Sequence, residues 1–254
     1  MSRIVTVASA LALACAISAP AAAANITFNF GGASQTFATG APYEVTAGGA
    51  TASALGYSFN TTPAAFQTLA DGASAATVLS QMTLKSVRRE GPGIGVCWTG
   101  ESGSECNQVD ANGTNEMLRV ELSKNFRLVS AEFDRVDNND TLKLFGVSSD
   151  GVVDHLGYGG IFDGPGTTMG INDVSGAWVS GTGDNQVYSV TFETGAFKEF
   201  WFGNNNDTAD GYRLRSITVA AVPEPATWAL MIGGFGLAGA TLRRRNAATS
   251  TATA

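Results

Sequence analysis

Two short clusters of oxygen-bearing side chains could hold a hard cation: Asp110, Asn112 and Glu116, then Asp137, Asn139 and Asp140. Calcium is bound by carboxylates, amides and backbone carbonyls, and loops of Asp, Asn and Glu between strands supply all three. Neither cluster has the spacing of an EF-hand loop. They flank the stretch 118–136, a separation that does not oblige them to be neighbours. The same residues also suit plain turns, because Asp and Asn bond nearby backbone groups and tolerate left-handed geometry. A third polar loop, Asn204-Asn205-Asn206-Asp207 with Asp210-Gly211, follows later in the chain.

Catalytic chemistry has fewer footholds. His155 is the only histidine, so a Ser-His-Asp hydrolase would have to use it. No Gly-x-Ser-x-Gly nucleophile elbow occurs. A glycosidase needs only two carboxylates facing a cleft, and no spacing singles out such a pair. Trp98 is a candidate stacking surface for a sugar ring; Trp201, inside an alternating stretch, reads as core. The expectation is a protein that is not an enzyme, with a secreted hydrolase as the minor alternative.

Strands must position these residues. Asn25–Phe30, Tyr43–Thr46, Ala54–Phe59, Val78–Val87, Leu118–Leu122, Thr141–Val147 and Gln186–Phe192 show the period-two alternation of half-buried strands. Phe126–Val136 alternates with one slip of phase, which predicts a bulge or bend. Thr62-Pro63 can cap a short helical turn that Asp71-Gly72 ends. Residues 88–117 offer little regular pattern and read as a long loop. Ten or eleven short strands joined by Gly, Asn and Asp turns predict a mainly β fold, a single jelly-roll-like β-sandwich.

The two ends are unlike this domain. Arg3, the apolar stretch 4–17 and the small residues 22–24 form a signal peptide over 1–24, with cleavage between Ala24 and Asn25 by signal peptidase after passage through the Sec translocon. Cys15 raises a lipoprotein alternative, but Ala12-Leu13-Ala14 makes a poor lipobox. Removing Cys15 with the leader leaves Cys97 and Cys106, an even pair in an oxidising compartment, which predicts one disulfide. The exported domain is then 25–221. Residues 25–222 carry 11 Lys and Arg against 21 Asp and Glu, a net charge of −10. Neither nucleic acid nor an anionic membrane surface is therefore an expected partner of the domain.

At the other end, Pro223-Glu224-Pro225 precedes 17 uncharged residues, 226–242, and then Arg243, Arg244 and Arg245. Such a run rises about 25 Å as a helix, just enough to cross a bilayer, and the arginines hold its end in the cytoplasm. Residues 246–254 read as a disordered cytoplasmic tail. Pro223-Glu224-Pro225, Trp228, the Gly233–Gly236 cluster and the three arginines closely resemble the PEP-CTERM sorting signal of Gram-negative bacteria over 222–245. The resemblance implies recognition by an exosortase, a membrane-embedded cysteine transpeptidase or protease. It also implies an inner-membrane intermediate and delivery to the cell surface or extracellular polysaccharide matrix. More weakly, the order of features over 93–140 is similar to β-sandwich surface domains found upstream of such signals. The functional expectation is an exported structural or adhesive component associated with exopolysaccharide or biofilm. The alternative is a calcium-dependent carbohydrate-binding module.

Overall fold

The computed structural model describes residues 24–97, 106–111, 114–136, 140–160, 175–180, 186–204, 211–222 and 231–240. Nearly all of the expected signal peptide falls outside them, as do Trp98, Asn112, Asp137, Asn139, Pro223, Glu224, Pro225, Trp228, Arg243, Arg244, Arg245 and the tail 246–254. Between residues 24 and 222 the described residues form fourteen strands and two short helices. In chain order they are β1 (Asn25–Asn29), β2 (Gly32–Thr36), β3 (Tyr43–Ala47), β4 (Ala50–Phe59), α1 (Pro63–Ala70), α2 (Ala75–Leu79), β5 (Thr83–Gly91), β6 (Gly93–Cys97) and β7 (Val109–Asp110). There follow β8 (Asn115–Val136), β9 (Thr141–Val147), β10 (Val153–Gly160), β11 (Ser175–Ser180), β12 (Gln186–Thr191), β13 (Ala196–Gly203) and β14 (Gly211–Ala221).

The mainly β expectation holds, but the sandwich is corrected to a closed barrel core. All fourteen strands belong to one antiparallel sheet, and β14, β6, β5, β4 and β8 form a complete ring. The cause is the 22-residue β8, which bends at exposed Ser123–Asn125. Up to Leu122 it pairs with β4 and from Phe126 on with β14 and β12, while β13 runs beside both parts. One strand thus serves both layers, a recognised way for sheets to turn a corner. The opposite seam closes where Leu214 of β14 faces Ile94 of β6.

Side-chain alternation fills this barrel. Leu118, Val120 and Leu122 of β8, Phe200 and Phe202 of β13, and Leu214, Ile217 and Val219 of β14 all point into the main core. The opposite parity of the same strands meets a second cluster on the outer face, where Met117, Phe145, Val147 and Trp201 lie beneath Phe66, Ala70 and Val78 of the helices. That cover explains why β9 is buried at every position although its sequence alternates. Helix α1 begins as expected: the Thr62 side chain accepts a bond from the Ala65 N–H at 3.3 Å, Pro63 opens the helix, and Gly72 after it has φ +76°.

Two local expectations are revised. The strand expected over 78–87 begins only at Thr83, because Ser74 caps a helix through Thr77 N–H (3.2 Å) and Val78 is drawn into the outer cluster. The long loop expected over 88–117 contains the end of β5, β6, β7 and the start of β8; in β6 the alternation is hidden by glycine. The described residues 231–240 are helical and mostly exposed. Among the described residues no helix is long and apolar enough to cross a membrane. Both ends of the run 226–242 lie outside them.

Candidate functional site

The barrel has two ends with different chemistry, set by the direction of β14. At the tail end, Ala221 closes β14 opposite Phe126, and Val222 follows, 37% exposed. Asn25, the expected first residue after signal cleavage, starts β1 opposite Ala220. Both chain boundaries of the domain therefore lie side by side. Around them sit the Gly48-Gly49 turn, the Ser123–Asn125 bend, and the turn after β12. In that turn Phe192 N–H donates to Val129 O at 2.7 Å, and Thr194 Oγ1 accepts from Leu128 N–H at 2.9 Å. Gly48 (φ +54°) passes so near β1 that a Cβ there would lie 2.9 Å from Ile26.

At the loop end, the described members of the two oxygen clusters, Asp110, Glu116 and Asp140, converge. Asp110 on β7 pairs opposite Gly211, and its N–H donates to Glu116 Oε2 at 3.2 Å. Gly211 N–H donates to Asp140 Oδ1 at 2.9 Å. Asp110, Glu116 and Asp140 are 4%, 0% and 3% exposed. The expectation that the clusters need not be neighbours overlooked the β8 bend, which returns both ends of that strand to one end of the barrel. Buried Asn115 joins them, its Nδ2 donating to Thr61 O at 2.9 Å. These bonds show the Glu116 and Asp140 carboxylates serving backbone N–H groups, the turn-making role. Among the described residues no group of three or more His, Cys, Asp or Glu side chains is close enough to hold a metal ion.

Cys97 and Cys106 form the expected disulfide, with Cα atoms 4.3 Å apart. It ties the end of β6 to the segment leading into β7, so it anchors Asp110. The segment is also held by backbone: Val96 N–H donates to Gln108 O at 2.8 Å, and Gln108 Nε2 donates to Gly211 O at 2.9 Å.

His155 is half-buried on β10, its ring 5.2 Å from that of Phe145, while its backbone N–H donates to Asp71 Oδ1 at 2.9 Å. Burial, then the charge of Lys143, pushes the imidazole below its ordinary range, so it is neutral near pH 7. Asp154, its sequence neighbour, is exposed.

Sequence reasoning missed one ionic network on the outer face. Arg119 of β8 makes a two-pronged bond to Glu199 of β13, Nε to Oε2 at 2.7 Å and Nη2 to Oε1 at 2.6 Å. Trp201 Nε1 donates to the same Oε2 at 2.9 Å, and Arg119 also reaches Glu121 at 2.9 Å. The sequence did carry a signal for it: Arg119 and Glu121 share one parity, as do Glu199 and Trp201. What sequence lacked was the β8–β13 register that sets Trp201 opposite Arg119.

Together these features define an antiparallel barrel domain whose last strand runs directly into a C-terminal segment of separate character. That segment is identified by comparison: residues 221–245 match the family described as the PEP-CTERM protein-sorting motif. The motif marks an exported protein that an exosortase processes and sorts to the cell surface. No curated protein and no solved structure matches the chain.

Proposed function

We propose that this chain is a non-enzymatic structural or adhesive component of the cell surface or extracellular matrix, associated with exopolysaccharide or biofilm. Its route runs through the Sec translocon and signal peptidase, with cleavage at Ala24–Asn25. It then stays in the inner membrane through residues 226–242 until exosortase acts near Pro223-Glu224-Pro225. The observation that carries the reading is the sorting motif placed directly after the final barrel strand. A rigid, disulfide-tied barrel with short loops at its tail end suits passive display. The test is genetic and biochemical: deleting the gene is expected to lower the polysaccharide or protein retained in the washed matrix. An unchanged matrix in the deletion strain argues against the structural role.

A second reading, a calcium-dependent carbohydrate-binding module, is favoured by the convergence of Asp110, Glu116 and Asp140 at one end of the barrel. Asn112, Asp137 and Asn139, the other members of the two sequence clusters, carry further oxygen ligands of the kind calcium takes. Binding to glycans that EDTA abolishes, with a Tm that rises on adding calcium, supports it. A Tm indifferent to both and no glycan binding removes it.

A further inference from the structure

At the end of β8, Arg135 has φ +58°, the one positive φ at a non-glycine among the described residues. Between Phe133 and Val136 the strand holds one residue more than β12 opposite it, so Arg135 sits in a bulge. Glycine suits such a position, and a side chain there is strained. The Arg135 side chain enters no ion pair among the described residues, and its Nε is buried without a hydrogen-bond partner. Arg213 of β14 pairs opposite Asp134, the residue before it. It is only 4% exposed, and its Nε is likewise buried without a partner. We propose that Arg135 and Arg213 form an oxyanion site, whose guanidinium N–H groups take a carboxylate, phosphate or sulfate.

The charges around the pair support this occupant. Arg213 Nη1 donates to Glu90 O at 2.7 Å but stands 3.9 Å from Asp134 Oδ2, beyond hydrogen-bond reach. Burial, then the charge of Arg135, holds the pKa of Arg213 below its ordinary value, and the attraction of Asp134 and Glu90 offsets only part of this. The other charged groups of this face are engaged. Glu90 accepts from Arg88 Nε at 3.3 Å and from Asn107 Nδ2, and Glu132 pairs with Arg215 at 3.5 Å. Four arginines thus meet three acids, and Arg135 is left without a counter-charge. A bound oxyanion relieves the repulsion between two guanidinium groups and supplies the acceptors that their free N–H groups lack. Arg135 is only half-buried, so the site opens to solvent on its side. The net charge of −10 over 25–222 repels polyanions. The occupant is therefore a single oxyanion, either a free ion or a lone acidic substituent on a sugar. The site stands independently of the matrix reading.

The experiment uses the purified full chain in chloride buffer. Tm and calorimetric binding are followed as inorganic phosphate, sodium galacturonate or neutral galactose is added at matched ionic strength. At least one of the two anions is expected to raise the Tm with the logarithm of its concentration, while galactose and extra chloride do nothing. A response to galacturonate alone assigns the oxyanion to an acidic sugar; a response to phosphate alone assigns it to a free tetrahedral ion. Arg135→Gly is expected to raise the Tm of the anion-free chain, because it relieves both strain and repulsion, and to weaken anion binding about tenfold or more. Arg135→Lys keeps the charge without the fork and should weaken binding less. A Tm indifferent to both anions, or equally responsive to chloride, overturns the proposal. A glycine variant that binds as the parent does also overturns it. So does one that is less stable without anion, since Arg135 would then be a structural prop.

Discussion

Glu199 receives two N–H groups from Arg119 and one from Trp201, and these contacts set its protonation. Burial raises its pKa, but the Arg119 hydrogen bonds and charge, helped by Trp201, outweigh burial and leave the carboxyl below its ordinary range. The same pairing holds Arg119 above its own. A depressed carboxyl binds its proton less readily folded than unfolded. Its stabilisation is therefore full above the unfolded pKa near 4.5 and is lost as pH falls through the lower folded value. Glu199→Gln is expected to destabilise the barrel by about 1–3 kcal/mol at pH 7 in urea titrations, since charge-assisted bonds become neutral ones. It should also flatten the loss of stability below pH 4.5 relative to the parent. An unchanged acid limb in the variant would show that other carboxylates carry that transition.

At the scale of elements, β6 shows why spacing alone misled. Gly93-Ile94-Gly95-Val96 reads as loop because glycine hides the alternation. Both glycines are instead needed for close approach: a Cβ at Gly93 would lie 3.0 Å from Leu214 O, and one at Gly95 only 2.2 Å from Asn107 O. β6 is squeezed between β14 and the segment that carries Asp110. Gly95→Ala is expected to cost about 1–3 kcal/mol by overpacking and to loosen the 106–110 segment, seen as faster amide exchange at Val96 and Gly211. Cys97→Ser with Cys106→Ser should lower stability by about 2–3 kcal/mol, the chain-entropy value for a loop this short. Reductant should give the parent the same Tm as the double variant. Helix α1 was legible because Thr62-Pro63 and Gly72 state its start and stop locally. The halves of β8 were legible by alternation. The phase slip after Leu128 marks a real bulge, where β8 shifts register against β14 between Leu128 and Ser130, but the change of partners at Ser123–Asn125 left no such mark. Barrel closure rests on a single register position, Ile94 opposite Leu214, and the meeting of Asp110, Glu116 and Asp140 depends on that bend. Long-range register decided both, and local pattern does not encode it.

For the whole molecule, the arrangement of ends matters more than any single site. Both domain boundaries leave at the tail end, while the disulfide and the buried carboxylates occupy the loop end. If residues 226–242 are embedded as proposed, a barrel whose boundaries leave at one end would carry its loop end away from the membrane. Calcium at the loop end would raise the Tm of the folded domain by mass action in proportion to the logarithm of its concentration, and EDTA would reverse it. A Tm independent of calcium leaves the carboxylates as turn-formers. The central claim concerns sorting, and it is tested most directly by intact mass and fractionation of the chain from isogenic cells with and without exosortase. With the enzyme present, the mature product is expected to lack residues from the Pro223–Arg245 region and to be found at the surface or in the matrix. Without the enzyme, the chain should retain the three arginines and remain in the inner membrane. The same mass and location in both strains would contradict the account.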